Sequence, residues 1–255
     1  MKKFKISIGR ELKIVAGIFL IGLLIAFSER KHRAVTIQDV EIKLQNIANN
    51  HFMDEGDIIG LMETDEEVLR GAELGAIDLN AIEKRIRHDR YVKDAELYND
   101  LRGNLIVRVS LRRPVARVVR SDGPDGYIAG DGTVMPASDR YTSRVTLVSG
   151  PYASTLLRMK NISESEDGAA MLRFLNFVHQ DEFWKAQLAQ LDVDNQTRIA
   201  MYPQVGGELI EFGKPLDVEL KFKKLKIYYK EILPRMGWNK YKRVNLEYAG
   251  QIVAE

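Results

Sequence analysis

The chain has 255 residues, 45% of them apolar and 29% charged, and Lys plus Arg exceed Asp plus Glu by only 38 − 36 = 2. That apolar content builds cores and excludes a disordered chain, while the balanced charge gives no overall pull towards nucleic acid. The lack of cysteine excludes a disulfide scaffold, thiolate metal sites and cysteine catalysis, and leaves the redox compartment open.

The N-terminus reads MKKFKISIGRELK, then IVAGIFLIGLLIAF, fourteen residues without a polar side chain, then SERKHR. Those fourteen span about 21 Å as a helix, short of a hydrocarbon core of roughly 30 Å. Counting from Leu12 to Ser28 gives seventeen residues, the low end for a spanning helix, with the Lys13 ammonium snorkelling outward. Lys2, Lys3, Lys5, Arg10 and Lys13 outnumber Arg30, Lys31 and Arg33, which predicts a cytoplasmic tail at 1–11 and an exported bulk. The same residues fit a cleaved secretory signal, with Ala26 and Ser28 as the small residues before the cut. Both readings export the rest of the chain.

The exported part divides near Pro114. Upstream, VTIQDVEIKL opens as a short strand, and MDEGDIIGLM starts a helix at Asp54 with Asp57 completing an acidic capping box. DLNAIEKRIRHD is a second helix, capped by Asp78, with Leu79, Ile82 and Ile86 on one face. YVKDAELY, the turn DLRGN and LIVRVSL form a hairpin whose Leu105, Val107, Val109 and Leu111 share a side. The order β-α-α-β-β over 34–113 supplies a three-stranded sheet covered by two helices.

Downstream, 114–255 predicts a mixed β domain with helices, so the chain is of the α+β class. SDGPDG and GDG bracket a strand at Tyr127–Ala129, and Val145–Val148 is another. The run from Glu166 to Val193 reads as helical, with Met171, Leu172, Leu175 and Val178 at helical spacing. TRIAMYP and GGELIEFG read as strands. A helix starting near Pro215 carries Val218, Phe222, Leu225 and Tyr229 on one face, and its KFKKLKIYYK stretch is its solvated side. In RVNLEYAGQIVAE, Val244, Leu246, Tyr248, Ile252 and Ala254 share one parity, which predicts a strand from Arg243 to Val253 with Tyr248 half in the core.

Nothing in this pattern carries chemistry. His32, His51, His88 and His179 are scattered, with no metal-ligand spacing, and there is no nucleophile elbow, P-loop or S-x-x-K. GYIAGDG lacks the following helix that a phosphate cradle needs. The residues therefore predict no enzyme, no cofactor and no metal.

Taken in order, YVKDAELYNDLRGNLIVRVSLRRPVARV with Pro114 and Ala116, DGTVMP with Gly132, LIEFGKPLDVELKFKKLKIYYKEILP and the closing VNLEYAGQIVA resemble the FtsQ/DivIB cell-division family, in its Bacteroidetes form. The resemblance covers essentially the whole chain. It implies a short cytoplasmic tail, one uncleaved inner-membrane helix at 12–28, a POTRA domain at 34–113 and an FtsQ-type β domain from 114. It implies a non-catalytic scaffold at the division septum, with FtsB/DivIC-like and FtsL-like single-span proteins as partners. On this reading the last strand accepts a partner strand along its edge, through Asn245, Leu246, Glu247, Tyr248, Gln251 and Ile252. Tyr248 matches the family's tyrosine, whereas Glu247 stands where the family commonly has arginine. Two other classes share parts of this pattern. An outer-membrane POTRA transporter needs a sixteen-strand barrel, for which the residues after Pro114 are too few. An exported soluble binding protein or enzyme remains the alternative, and a mature N-terminus at Glu29 distinguishes it.

Overall fold

The computed structural model describes residues 13–23, 36–46, 50–62 and 69–255. Residues 13–23 are helical, and Ile14, Val15, Ile18, Phe19, Leu20, Ile21 and Leu23 are exposed. Among the described residues no helix is long and apolar enough to cross a membrane. The tail at 1–11 and the other residues of the expected span, 12 and 24–28, lie outside them.

The chain forms two units. The first draws on residues up to Gln45, Asp54–Asp89 and Asp94–Ser110, and the second on Asn46–Met53, Arg90–Lys93 and Leu111–Glu255.

In the first unit β1 (Val40–Gln45) is followed by α1 (Glu55–Met62), a 3-10 turn (Leu74–Ala76) and α2 (Leu79–His88), then β2 (Val92–Asn99) and β3 (Leu105–Leu111). The strand order is β1-β3-β2, with β1 parallel to β3 from Val40↔Leu105 to Gln45↔Ser110. A parallel pair needs a crossover connection, and the helices lie within it. The acidic capping box forms as the sequence predicts. The Asp54 N–H donates to Asp57 Oδ2 at 2.8 Å, and the Asp57 N–H donates to Asp54 Oδ1 at 3.0 Å. Asp78 caps α2 by accepting from the Ala81 N–H at 3.0 Å. Ile58, Met62, Ile82, Ile86, Leu105, Val107 and Val109 are buried. The turn before β3 is held by Asp100, whose side chain accepts from the Arg102 and Asn104 amides, both at 2.8 Å.

The second unit is a nine-stranded sheet with helices. Its strands are β4 (Pro114–Val118), β5 (Gly126–Ala129), β6 (Val134–Pro136), β7 (Thr146–Ser149), β8 (Leu188–Val193), β9 (Ile199–Pro203), β10 (Leu209–Gly213), β11 (Arg243–Asn245) and β12 (Val253–Ala254). Their spatial order is β12-β11-β10-β9-β8-β7-β4-β5-β6. The helices are α3 (Ala153–Arg158), α4 (Glu166–Gln180), α5 (Glu182–Gln187) and α6 (Val218–Ile227), the last running on through a π-turn (Tyr228–Ile232) into α7 (Leu233–Met236). The π-turn lies just before Pro234, which has no N–H to close an ordinary helical bond onto Lys230.

The core joins Phe174, Trp184, Phe212, Phe222, Leu225 and Tyr229 to the sheet residues Val118, Val148, Leu191, Met201 and Ile210. Phe222 is central, with ring centroids 4.8 Å from Trp184, 5.0 Å from Phe177 and 5.2 Å from Phe212.

The predicted helix from Glu166 to Val193 is corrected. Asp181 breaks it and caps α5, accepting from the Phe183 and Trp184 amides, and residues 188–193 are the central strand β8. Leu188 and Leu191 are three apart, a spacing that would suit a helix face. Both are buried because a register shift at Leu188/Gln190 inserts an extra residue between them.

Candidate partner-binding edge

The C-terminal segment lies at one end of the large sheet. β11 runs parallel to β10, pairing Leu209 with Arg243, Ile210 with Val244 and Glu211 with Asn245. Alternation holds for Val244 and Leu246, both fully buried, and then fails. The predicted strand from Arg243 to Val253 is therefore corrected. The chain leaves the sheet after Asn245, turns at Gly250 with φ 73, and returns as β12, antiparallel to β11 with Val244↔Ala254 and Asn245↔Val253. Glycine meets that left-handed backbone without steric cost. Tyr248 sits in the excursion and is 53% exposed, not half in the core.

The edge of β11 is thus occupied by the chain's own last residues. The Arg243 N–H donates to the Glu255 carbonyl at 3.1 Å, and the Glu255 N–H donates to the Arg243 carbonyl at 3.0 Å. In an antiparallel ladder such exchanging residues alternate with residues whose amide groups face away. Ala254, between Val253 and Glu255, therefore presents its N–H and C=O outward along the end of the sheet.

One side chain ties the excursion down. Lys224 of α6 donates through Nζ to the carbonyls of Tyr248 at 2.7 Å, Leu246 at 2.9 Å and Gln251 at 3.2 Å. Burial pulls its ammonium below the usual lysine range. Lys221, one turn earlier, donates to the Phe212 carbonyl at 2.8 Å and the Lys214 carbonyl at 2.9 Å, and burial lowers its pKa as well. The sequence placed these lysines on a solvated helix side. Two of them instead satisfy backbone carbonyls, because their stems are long enough to carry the ammonium from the helix to neighbouring backbone.

The predicted contact residues divide accordingly. Leu246 is core, and its N–H donates to the Glu211 carbonyl at 2.9 Å. Asn245 donates through Nδ2 to Glu211 Oε2 at 2.8 Å and accepts from the Glu247 N–H at 2.8 Å. Arg243 also pairs with Glu211. Glu247 is exposed and lies over Gly213, where φ is 74 and an added Cβ would strike its carboxylate. Ile252 packs half-buried on the core. Tyr248, Glu247 and Gln251 remain exposed, so the edge offers their side chains together with the Ala254 backbone. Sequence reasoning missed Lys224, Glu211 and Ala254, since each acts across elements far apart in the chain.

The motif residues hold the far part of the same sheet. Pro114 pairs with Ala129 and Ala116 with Ile128, across a register shift. Proline is tolerated there because the shift relieves it of a ladder bond. Gly132 has φ 86, and a Cβ would collide with Asn161 Oδ1 and with Leu172 Cδ2. Among the described residues no group of His, Asp or Glu side chains is arranged to hold a metal ion.

Two family models match the chain. The model described as FtsQ/DivIB, C-terminal related, covers residues 113–255, and a POTRA-like domain model covers residues 36–110. A search of curated proteins finds no match.

Proposed function

Since the chain belongs to the FtsQ/DivIB family, whose members are non-catalytic cell-division proteins, we propose that it is a membrane-anchored scaffold recruiting single-span division partners through the β12 end of its large sheet. The POTRA-like and FtsQ/DivIB-related domains give it a cell-division scaffold role. The finer reading rests on one observation: β12 ends the sheet, with the Ala254 N–H and C=O directed away from β11. An FtsB/DivIC-like protein adds a strand there by β-augmentation, main-chain bonds giving affinity and the exposed Tyr248 giving a side-chain contact. An FtsL-like protein accompanies it. The anchor is the apolar run at 12–28, of which residues 13–23 are helical, and the domains lie outside the inner membrane at the septum.

Tagged full-length chain, recovered from membranes with its co-purifying small single-span proteins identified by mass spectrometry, tests this. Ala254→Pro removes the outward donor, and recovery of the FtsB/DivIC-like partner should fall about tenfold with the melting temperature unchanged. Val253→Pro deletes an inward donor to β11 instead and should loosen β12 itself. Undiminished recovery by Ala254→Pro, together with undiminished recovery after deletion from Asn245 onward, would sink strand addition. Release of the full-length chain by carbonate washing would sink the anchor.

A further inference from the structure

A cavity of about 770 Å³ opens in the second unit, remote in sequence from the C-terminal edge, and its lining is cationic. Arg113 precedes β4, Arg144 lies in the loop before β7, His179 sits in the last turn of α4, Lys185 lies on α5, and His51 completes the set. Thr142 and Ser143 add hydroxyl donors, and among the described residues no carboxylate lines the cavity. Among the described residues Arg113, Arg144 and Lys185 make no ion pair, whereas their neighbours Arg112 and Arg117 are held by Asp131 at 3.0 Å and Asp125 at 2.7 Å.

The cations act on a common space. The His179 imidazole is pushed below the usual histidine range, chiefly by burial and then by Lys185, with Arg113 adding to it. Glu182 acts on His179 in the opposite sense but does not line the cavity. Three positive charges facing one recess, with no counter-charge among the described lining residues, repel one another, and elements distant in sequence bring them there. Nothing in the packing of the sheet requires that arrangement, since all three side chains are exposed. An anion entering the recess relieves the repulsion.

We propose that this cavity is a binding site for a phosphate-bearing ligand of small-molecule size. Two guanidinium forks match phosphate oxygens bidentately and an ammonium adds a point charge, and a volume of this order holds more than a lone phosphate. A dianionic or diphosphate group fits the charge better than a single carboxylate. Its source is either a lipid headgroup or a soluble phosphate compound.

The test uses the full-length chain in a neutral detergent, titrated with inorganic pyrophosphate by calorimetry. Saturable one-site binding is expected, weakened about tenfold by either Arg113→Gln or Arg144→Gln and lost in the double variant. Lys223→Gln, an exposed lysine of α6 outside the cavity, should leave it unchanged. Melting curves of the variants should match that of the unsubstituted chain, since the substituted side chains are exposed. Absence of saturable binding overturns the proposal, as does an equal loss in Lys223→Gln. Competition then assigns the source. Displacement of pyrophosphate by a short-chain phosphatidylglycerol marks a headgroup site, and displacement by inorganic phosphate alone marks a soluble ligand. Displacement by neither overturns the site as a phosphate site.

Discussion

Lys224→Met tests whether the C-terminal edge is held in place by a single ammonium. Methionine keeps most of the stem and removes the donor. Three carbonyls lose a charged partner at 2.7, 2.9 and 3.2 Å. Each such bond is worth roughly 1.5–3 kcal/mol in isolation, but the losses do not add. Tyr248 and Gln251 are exposed, so their carbonyls recover water, while the carbonyl of the buried Leu246 is left poorly satisfied. Removing the ammonium also removes the cost of its partial desolvation. The net loss is therefore about 2 kcal/mol. It falls on the segment from Leu246 to Glu255 before the rest of the sheet, because β12 stands at the end of the strand order with β11 as its one sheet neighbour among the described residues. Hydrogen exchange of the Val253 and Glu255 amides should accelerate about 30-fold, and the melting temperature should drop by roughly 4–8 °C. Lys223→Met, whose side chain is exposed, is the control. If Lys224→Met left exchange at Glu255 unchanged, the clamp would carry no energy, and the return of β12 would have to be attributed to Ile252 and Ala254 packing alone.

Four further outcomes are expected. Val107→Asp places an unpaired charge at a fully buried position of the first unit and should cost about 4 kcal/mol or more, abolishing its cooperative melting; a native-like transition in circular dichroism would contradict this. Gly132→Ala meets both a left-handed backbone and the Asn161 and Leu172 side chains, so a loss of about 2 kcal/mol is expected in denaturant titration. Trp184→Ala, at 1% exposure and in contact with Phe183 and Phe222, should lose about 3–5 kcal/mol by the same measurement. Tyr228 is pushed up to about 12, by burial first and then by Glu208 and Tyr241. Its folded pKa lies above the unfolded value near 10, so its contribution is complete below pH 10 and is lost as pH rises towards 12. Its hydroxyl is buried without a hydrogen-bond partner among the described residues, so Tyr228→Phe should be within about 1 kcal/mol of neutral at pH 7 and flatten the alkaline fall in stability.

Local chemistry was legible in the residues themselves. The Asp54–Asp57 capping box, the Asp78 cap and the alternation in β3 are set by neighbours a few positions away, and such contacts are encoded in spacing. The β-α-α-β-β order followed from them, and in the second unit β5, β7, β9, β10, α4 and α6 were readable for the same reason, whereas β4, β6 and α3 were not foreseen and β8 was read as helix. The order of the motifs also pointed to the family, and of their residues Pro114 and Ala116 flank a register shift while Gly132 takes a left-handed backbone.

What only the tertiary structure decided is pairing. Residues 188–193 became a central strand rather than the end of a helix because β7 and β9 supply partners for both of its edges, a gain that intrinsic propensity cannot outweigh. The closing segment kept its alternation for three residues and then doubled back. β11 pairs with β10 only from Leu209 to Glu211, although β10 runs on to Gly213, and Lys224 holds the carbonyls of the excursion beyond. A period of two in the sequence records which side chains want burial. It does not record how far the pairing runs, which depends on a neighbouring strand some thirty residues away and on the contacts that hold the chain beyond it.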